Sequence, residues 1–160
     1  MKTLRSITIT ILILFTLLSC SDKSGIIQLP EPQRDKGVTD VLELRSDPID
    51  TVRIAFIGLG MRGEGAVYRY TFLEGVKVVA LCDVIPDKVT KANEILRERG
   101  FPEADVYTGE DDWKRVCERD DIDLVYIATD WKHHAAMGVY AMEHGKHVAI
   151  EVPAAMTLDE

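Results

Sequence analysis

The chain has 160 residues, 46% of them hydrophobic, with 19 Lys and Arg against 27 Asp and Glu, a formal net charge of −8. That acidic balance, with no basic stripe along the chain, excludes nucleic acid as a partner. The cysteines, Cys20, Cys82 and Cys117, stand far apart without C-x-x-C spacing. This excludes a disulfide or zinc framework, and Cys82 and Cys117 read as buried, inert thiols.

In chain order, Met1–Ser19 comes first. Lys2 and Arg5 precede an apolar run from Ile7 to Leu18, the pattern of a secretory signal. The run is short for a bilayer-spanning helix, which needs about 20 residues. Leu17-Leu18-Ser19-Cys20 resembles a bacterial lipobox and makes Cys20 the expected lipidated first residue of the mature chain. An ordinary signal peptide or an N-terminal membrane anchor is the alternative. Residues 20–48 are polar, carry Pro30, Pro32 and Pro48, and read as a tether from membrane to domain, with a short strand at Val41–Leu44. The expected location is outside the cytoplasm, as a periplasmic or outer-membrane lipoprotein of a bacterium. The globular part starts near Ile49 and leaves about 110 residues, enough for one modest core and small for a complete enzyme.

Thr51–Gly65 organises that part. Apolar and β-branched residues from Val52 to Ile57 run straight into Gly58-Leu59-Gly60-Met61-Arg62-Gly63. This is a buried strand followed by a G-x-G-x-x-G turn. Gly58 permits a tight bend, Gly60 lets backbone approach a pyrophosphate, and Gly63 lets the next helix pack on the strand. The start of that helix offers free N–H groups and a positive dipole end to phosphates.

Ala66, Val67, Tyr70 and Leu73 then recur at helical spacing, with Gly75 as the expected stop. Val76–Cys82 is a second strand ending at Asp83. Pro86-Asp87 opens a second helix with Val89, Ala92, Ile95 and Leu96 inward, ended by Gly100. Asp105-Val106-Tyr107 is a short third strand. Thr108-Gly109 leads into a third helix with Trp113, Val116 and Cys117 inward. Ile122–Ala128 is a near-continuous apolar run suited to a strand buried on both faces. Thr129–His134 is expected as a loop, followed by a helix to His144. His147–Ile150 is a fifth strand, closed by Glu151-Val152-Pro153. Alternating strands and helices call for an α/β fold, a doubly wound parallel sheet of the Rossmann kind over residues 49–160. Thr157-Leu158-Asp159-Glu160 matches a T-x-x-E capping box, a start signal for another helix, so the domain is expected to be incomplete, either truncated from a larger protein or cut short by an interrupted gene.

The polar residues at the strands' carboxyl ends are the candidate site. Asp83, about 20 residues beyond Gly63, is placed to accept hydrogen bonds from the adenosine ribose, favouring NAD over NADP. A solvated turn aspartate is the bland alternative. In Trp131-Lys132-His133-His134, Trp131 could stack on the cofactor and His133 or His134 could meet the nicotinamide half or the substrate. The competing reading seats Trp131 on the loop and both histidines in a helix's first turn. Glu151 could touch the cofactor or cap a strand end. No metal is expected, because the histidine pair has no third ligand at sensible spacing, and His144 and His147 read as structural.

Taken together, GLGMRG, the LCD ending at Asp83, the IATDWKHH stretch and GKHVAIEVPAAMTLDE resemble the N-terminal domain of Gfo/Idh/MocA-type oxidoreductases, over Thr51 to Glu160. Most members carry Glu-Lys-Pro after the fifth strand, where the lysine assists catalysis. Here the tripeptide is Glu151-Val152-Pro153. EVPAA with a Trp-x-x-His stretch is similar instead to glycoside hydrolase family 109, the NAD-dependent α-N-acetylgalactosaminidases and their relatives. That likeness implies NAD as cofactor, with Met61, Arg62, Asp83, Trp131, Lys132, His133, His134, Glu151 and Val152 around it; Gly58, Gly60 and Gly63 of the glycine turn and Thr129 complete the candidate cofactor-binding set. His134 is the catalytic candidate on this chain. The main catalytic residues, a tyrosine among them, are implied for a C-terminal α/β domain. The implied chemistry is transient oxidation of the sugar at C3, loss of the C2 proton, expulsion of the C1 substituent, addition of water and return of the hydride. A cofactor recycled within each turnover suits an exported protein, although Lys2 and Arg5 are not a twin-arginine signal. The implied partners are a small-molecule sugar, a membrane through the lipid anchor and, as a homo-oligomer, further copies of the chain.

Three functions compete at this point. The first is the cofactor domain of an NAD-dependent glycosidase acting on an N-acetylhexosamine-type glycoside. The second is a sugar dehydrogenase of the same superfamily, against which Val152 in the lysine position argues. The third is a non-catalytic, nucleotide-binding lipoprotein.

Overall fold

Each apolar run becomes a strand. They are β1 (Val52–Ile57), β2 (Val76–Cys82), β3 (Asp105–Tyr107), β4 (Leu124–Ile127) and β5 (His147–Ile150). The computed structural model describes residues 45–160, with Gly37 and Leu42 ahead of them. The readings of a signal peptide and a lipidated Cys20 lie outside the described residues, as does the expected strand at Val41–Leu44 apart from Leu42, which is in a turn. All strand pairs are parallel, in the order β3-β2-β1-β4-β5. The order reverses between β1 and β4, and a doubly wound sheet opens its ligand crevice at such a reversal.

Helices α1 (Met61–Tyr70), α2 (Pro86–Glu98), α3 (Asp112–Cys117) and α4 (Trp131–Glu143) connect the strands. They cover both faces, as parallel sheets require. Side chains alternate along β1. Ile54 and Phe56 join Ala66 and Val67 of α1 and Val89, Ala92 and Leu96 of α2 on one face. Ala55 and Ile57 join Val116 and Cys117 of α3 and Met137 and Ala141 of α4 on the other. Cys82 and Cys117 are both in the core, and burial is the main force pushing the Cys82 thiol up to about 12 and the Cys117 thiol to about 11.

Helix boundaries follow local chemistry, with two corrections to expectation. First, α1 stops at Thr71, whose hydroxyl donates to Tyr68 O (2.7 Å), so Leu73 falls beyond the helix and is exposed. Gly75 therefore ends no helix. It precedes β2, and its carbonyl accepts the amide of Val52 (2.8 Å). Second, Trp131–His134 is not a loop. It is the first turn of α4, which begins directly after Asp130. Asp130 has the extended backbone of a cap position, and nothing in the stretch that follows resists helix. The ends of α2 and α4 agree with expectation. Gly100 and Gly145 close paired bonds to Arg97 O and Met142 O, while Phe101 and Lys146 reach back to Leu96 O and Ala141 O. The predicted fourth strand contracts to Leu124–Ile127, although Ile122 ahead of it stays buried. At Thr157 and Glu160 the capping-box bonds form reciprocally, at 3.3 Å and 3.2 Å.

The amino ends of the strands are tied by ions. Arg53 of β1 grips Asp123, ahead of β4, with Nε–Oδ2 at 2.9 Å and an Nη2–Oδ1 contact at 2.6 Å. Arg53 holds the Asp123 carboxyl down to about 2. Arg119 pairs with Asp121 (2.6 Å) and Asp105 (2.7 Å), and Lys146 donates to Arg119 O (2.5 Å).

Candidate dinucleotide site

The glycine bend sits at the carboxyl end of β1. Gly58 has φ +88°, and a Cβ there would stand 2.6–2.7 Å from backbone atoms of Ala128 and Thr129. Only glycine meets both the dihedral and the space. A Cβ on Gly63 would collide with the carbonyl oxygen of Gly58, so this position lets α1 rest against the bend. Gly60 differs, since nothing lies within 4 Å of the place its Cβ would take. Directly after it, α1 begins with no side-chain cap. Backbone N–H groups and the positive helix end thus face open space, which is what a diphosphate requires.

Asp83 follows β2 and is 8% exposed. Its Oδ2 accepts the amide of Leu59 inside the glycine bend (2.7 Å), and its Oδ1 accepts the amide of Ile85 (2.9 Å). Lys88 Nζ stands 3.6 Å from Oδ2. The carboxylate therefore shapes the bend as well as offering itself to a ribose. Sequence spacing reveals only the second role. Lys88 escapes the sequence reading too, because its approach to Asp83 depends on how α2 leaves the turn.

A cavity of about 800 Å³ opens along the carboxyl edge. Of the candidate residues, Gly58, Gly60, Asp83, Thr129 and His133 line it. The sequence reading missed Lys88, the Gly109–Asp111 turn, Trp113, Asp130 and Met137, which line it as well. The Gly109 signal was legible as a turn but carried no chemistry. His133 Nδ1 contacts the Asp130 carboxylate, and this contact is the main force holding the Asp130 carboxyl below its usual range.

The other expected residues lie outside that lining. Met61, Arg62, Trp131, Lys132 and Val152 are exposed at the same edge. Gly63 is buried under the bend. His134 is 1% exposed: with its proton on Nδ1 the ring donates to Pro153 O (2.8 Å), and Nε2 stands 3.2 Å from Thr129 O. Both nitrogens face backbone, so the ring acts as a strut between α4 and the segment after β5. Glu151 accepts the hydroxyl of Tyr126 (2.6 Å). Among the described residues, no three His, Cys, Asp or Glu side chains gather as a metal site.

These features fit a dinucleotide. The open approach at Gly60 and the uncapped helix end suit a diphosphate, and Asp83 suits an unphosphorylated ribose. A family model described as an oxidoreductase family with an NAD-binding Rossmann fold matches residues 52–160. The chain belongs to the Gfo/Idh/MocA oxidoreductase family. Its cofactor is NAD, and the doubly wound sheet is the family's Rossmann fold.

Proteins similar to this chain include ones named for glycosyl hydrolase family 109 and inositol dehydrogenases. A Bacteroides thetaiotaomicron protein named glycosyl hydrolase family 109 protein 1 is 53% identical over 166 residues, covering 98% of this chain and 36% of its own length. A Bacteroides fragilis protein named alpha-N-acetylgalactosaminidase is 60% identical over 122 residues, covering 76% of this chain and 29% of its own. Among solved structures, myo-inositol dehydrogenase from Lactobacillus casei in complex with NAD(H) and myo-inositol aligns with a TM-score of 0.58 at 28% identity, over 68% of this chain and 30% of that one. Myo-inositol 2-dehydrogenase from Lactobacillus plantarum aligns at 0.56 and 31% identity, over 68% and 30%. The chain thus spans between 29% and 36% of the length of these two curated relatives.

Proposed function

We propose that this chain is the NAD-binding domain of an exported, lipid-anchored glycosidase that acts on N-acetylhexosamine-type glycosides by transient oxidation at C3. The observation that carries the reading is the 60% identity to a protein named alpha-N-acetylgalactosaminidase, which runs through this cofactor domain. Val152 supports it, because a valine stands where most of the superfamily places lysine after the fifth strand. Its side chain is 81% exposed and offers no proton-transferring group there.

Bound NAD supplies a hydride acceptor that is restored by the end of each turnover. The chain's own residues hold it. Gly60 and the start of α1 receive the diphosphate, Asp83 receives the adenosine ribose, and Thr129 and His133 wall the cavity beyond the bend. The lipobox-like Leu17–Cys20 supports export with a lipid anchor at Cys20, placing the domain outside the cytoplasm near a bacterial membrane.

The inositol dehydrogenase likeness favours a second reading, net sugar oxidation. One assay separates the two. The intact protein is given a chromogenic α-N-acetylgalactosaminide without added NAD⁺. Release of the aglycone with no net NADH is expected; no aglycone release, with net NADH formed in a parallel reaction supplied with NAD⁺, would move the protein to the dehydrogenases.

A further inference from the structure

We infer that Tyr126, with His134 on the opposite face of the sheet, is a positioning residue for Glu151–Pro153 at the nicotinamide end of the site. The inference rests on the NAD reading. The diphosphate belongs at the glycine bend after β1, and Asp83 draws the adenosine half toward β2. The other half of the dinucleotide must then extend toward β4 and β5, where Glu151-Val152-Pro153 leaves the sheet.

That segment follows strand β5 directly and has no regular structure of its own. Three bonds fix it. The amide of Glu151 donates to Ile127 O (3.0 Å). From the α1 face, the Tyr126 hydroxyl donates to Glu151 Oε1 (2.6 Å). From the α4 face, His134 donates to Pro153 O (2.8 Å). Both side-chain anchors are packed against neighbours. The Tyr126 ring packs against Phe56 at 5.3 Å and Tyr70 at 5.8 Å between centroids, and His134 is buried. Burial and the Glu151 carboxylate together raise the Tyr126 phenol to about 12, so it remains a donor at any physiological pH. The phenol therefore sets which way the Glu151 carboxylate points, and removing only that hydroxyl frees it while leaving the ring packing in place.

The test uses the intact protein with Y126F, E151A and the double variant. Without cofactor, Y126F should speed amide exchange across residues 151–156 while exchange within the five strands stays as in the parent. Calorimetry should show NAD binding weakened about tenfold, the effect of one lost hydrogen bond to a charged group. In the E151A background Y126F should have no further effect, because the two side chains act as one unit. Equal NAD affinity and exchange in Y126F and parent, or independent effects of the two substitutions, would overturn the inference. Should Y126F fail to fold, E151A alone carries the exchange test, and unchanged exchange there overturns it equally. A parent that takes up no NAD would count against the cofactor reading instead; the exchange measurement needs no cofactor and still decides the positioning role.

Discussion

Two glycines of one motif should respond oppositely to the same methyl group. At Gly60 the backbone is ordinary for any residue, with φ −67°, and a Cβ meets nothing within 4 Å. Alanine is a poorer cap residue than glycine but stiffens the unfolded chain less favourably for unfolding, and the two effects nearly cancel. The folded state of G60A should change by no more than about 1 kcal/mol. The methyl does fill the space through which a diphosphate reaches the helix end. Loss of one or two charge-assisted backbone bonds, at about 1.5–3 kcal/mol each, predicts NAD affinity lower by roughly a hundredfold or more. At Gly58 the strain alone is about 1–2 kcal/mol. The added Cβ also strikes the Ala128 carbonyl group at 2.6–2.7 Å, where backbone cannot yield cheaply. G58A should therefore fail in stability first. The measurement is a thermal melt of parent, G60A and G58A intact proteins without cofactor, paired with NAD calorimetry. A G60A protein that binds NAD as tightly as the parent, or melts far below it, would refute the assignment of that open space to a diphosphate.

Further outcomes follow from other contacts. Asp83→Ala strands the amide of Leu59, a residue that is 1% exposed, and should lower stability by about 1–3 kcal/mol in denaturant even without NAD. Asp83→Asn retains an acceptor and should lose less stability while still losing ribose affinity by calorimetry. Asp123 is held chiefly by Arg53 below its ordinary 3.8, at about 2, so folding favours its ionised form. Its contribution is complete above about pH 4 and is lost as the pH falls toward about 2. D123N should flatten that acid limb in melts taken across pH, and an unchanged limb would dismiss the pair as a source of stability. Cys82 and Cys117, both buried and both pushed well above the usual thiol range by that burial, should resist iodoacetamide at neutral pH in the native protein and react after denaturation, read by mass spectrometry. Rapid native labelling would mean that the α3–α4 face opens.

The sheet was legible because a strand buried on both faces writes itself as a dense apolar run, as in Ile54–Ile57 and Val78–Cys82, with the charged Arg53 and Lys77 confined to the strands' starts. The glycine bend was legible because its residues are dictated by backbone sterics that no neighbour can supply. Helix starts were less so. Trp131–His134 read as loop because its residues carry no apolar spacing of their own; Asp130 sets where α4 begins, and only the chain's exit from β4 reveals it. Leu73 shows the reverse failure, with helical spacing running past the point where Thr71 caps the chain. At the site, Asp83 was found by its distance from Gly63, yet its bonds to Leu59 and Ile85 were invisible. Lys88, Trp113 and the Gly109–Asp111 turn enter the cavity through packing of α2 and α3, which sequence separation does not encode. Tyr126 looked like one more core aromatic, and its hydroxyl acquires meaning only once β4 and β5 lie side by side.

The ion pairs of Arg53 and Arg119 sit where the strands begin, and the crevice opens where they end. Robustness and chemistry therefore occupy opposite rims of one sheet. An engineer could strengthen the starting rim, adding charges or trimming its connections, without approaching any group that would hold a nucleotide. The same separation leaves the far rim free to change what it binds while the framework beneath it stays as it is.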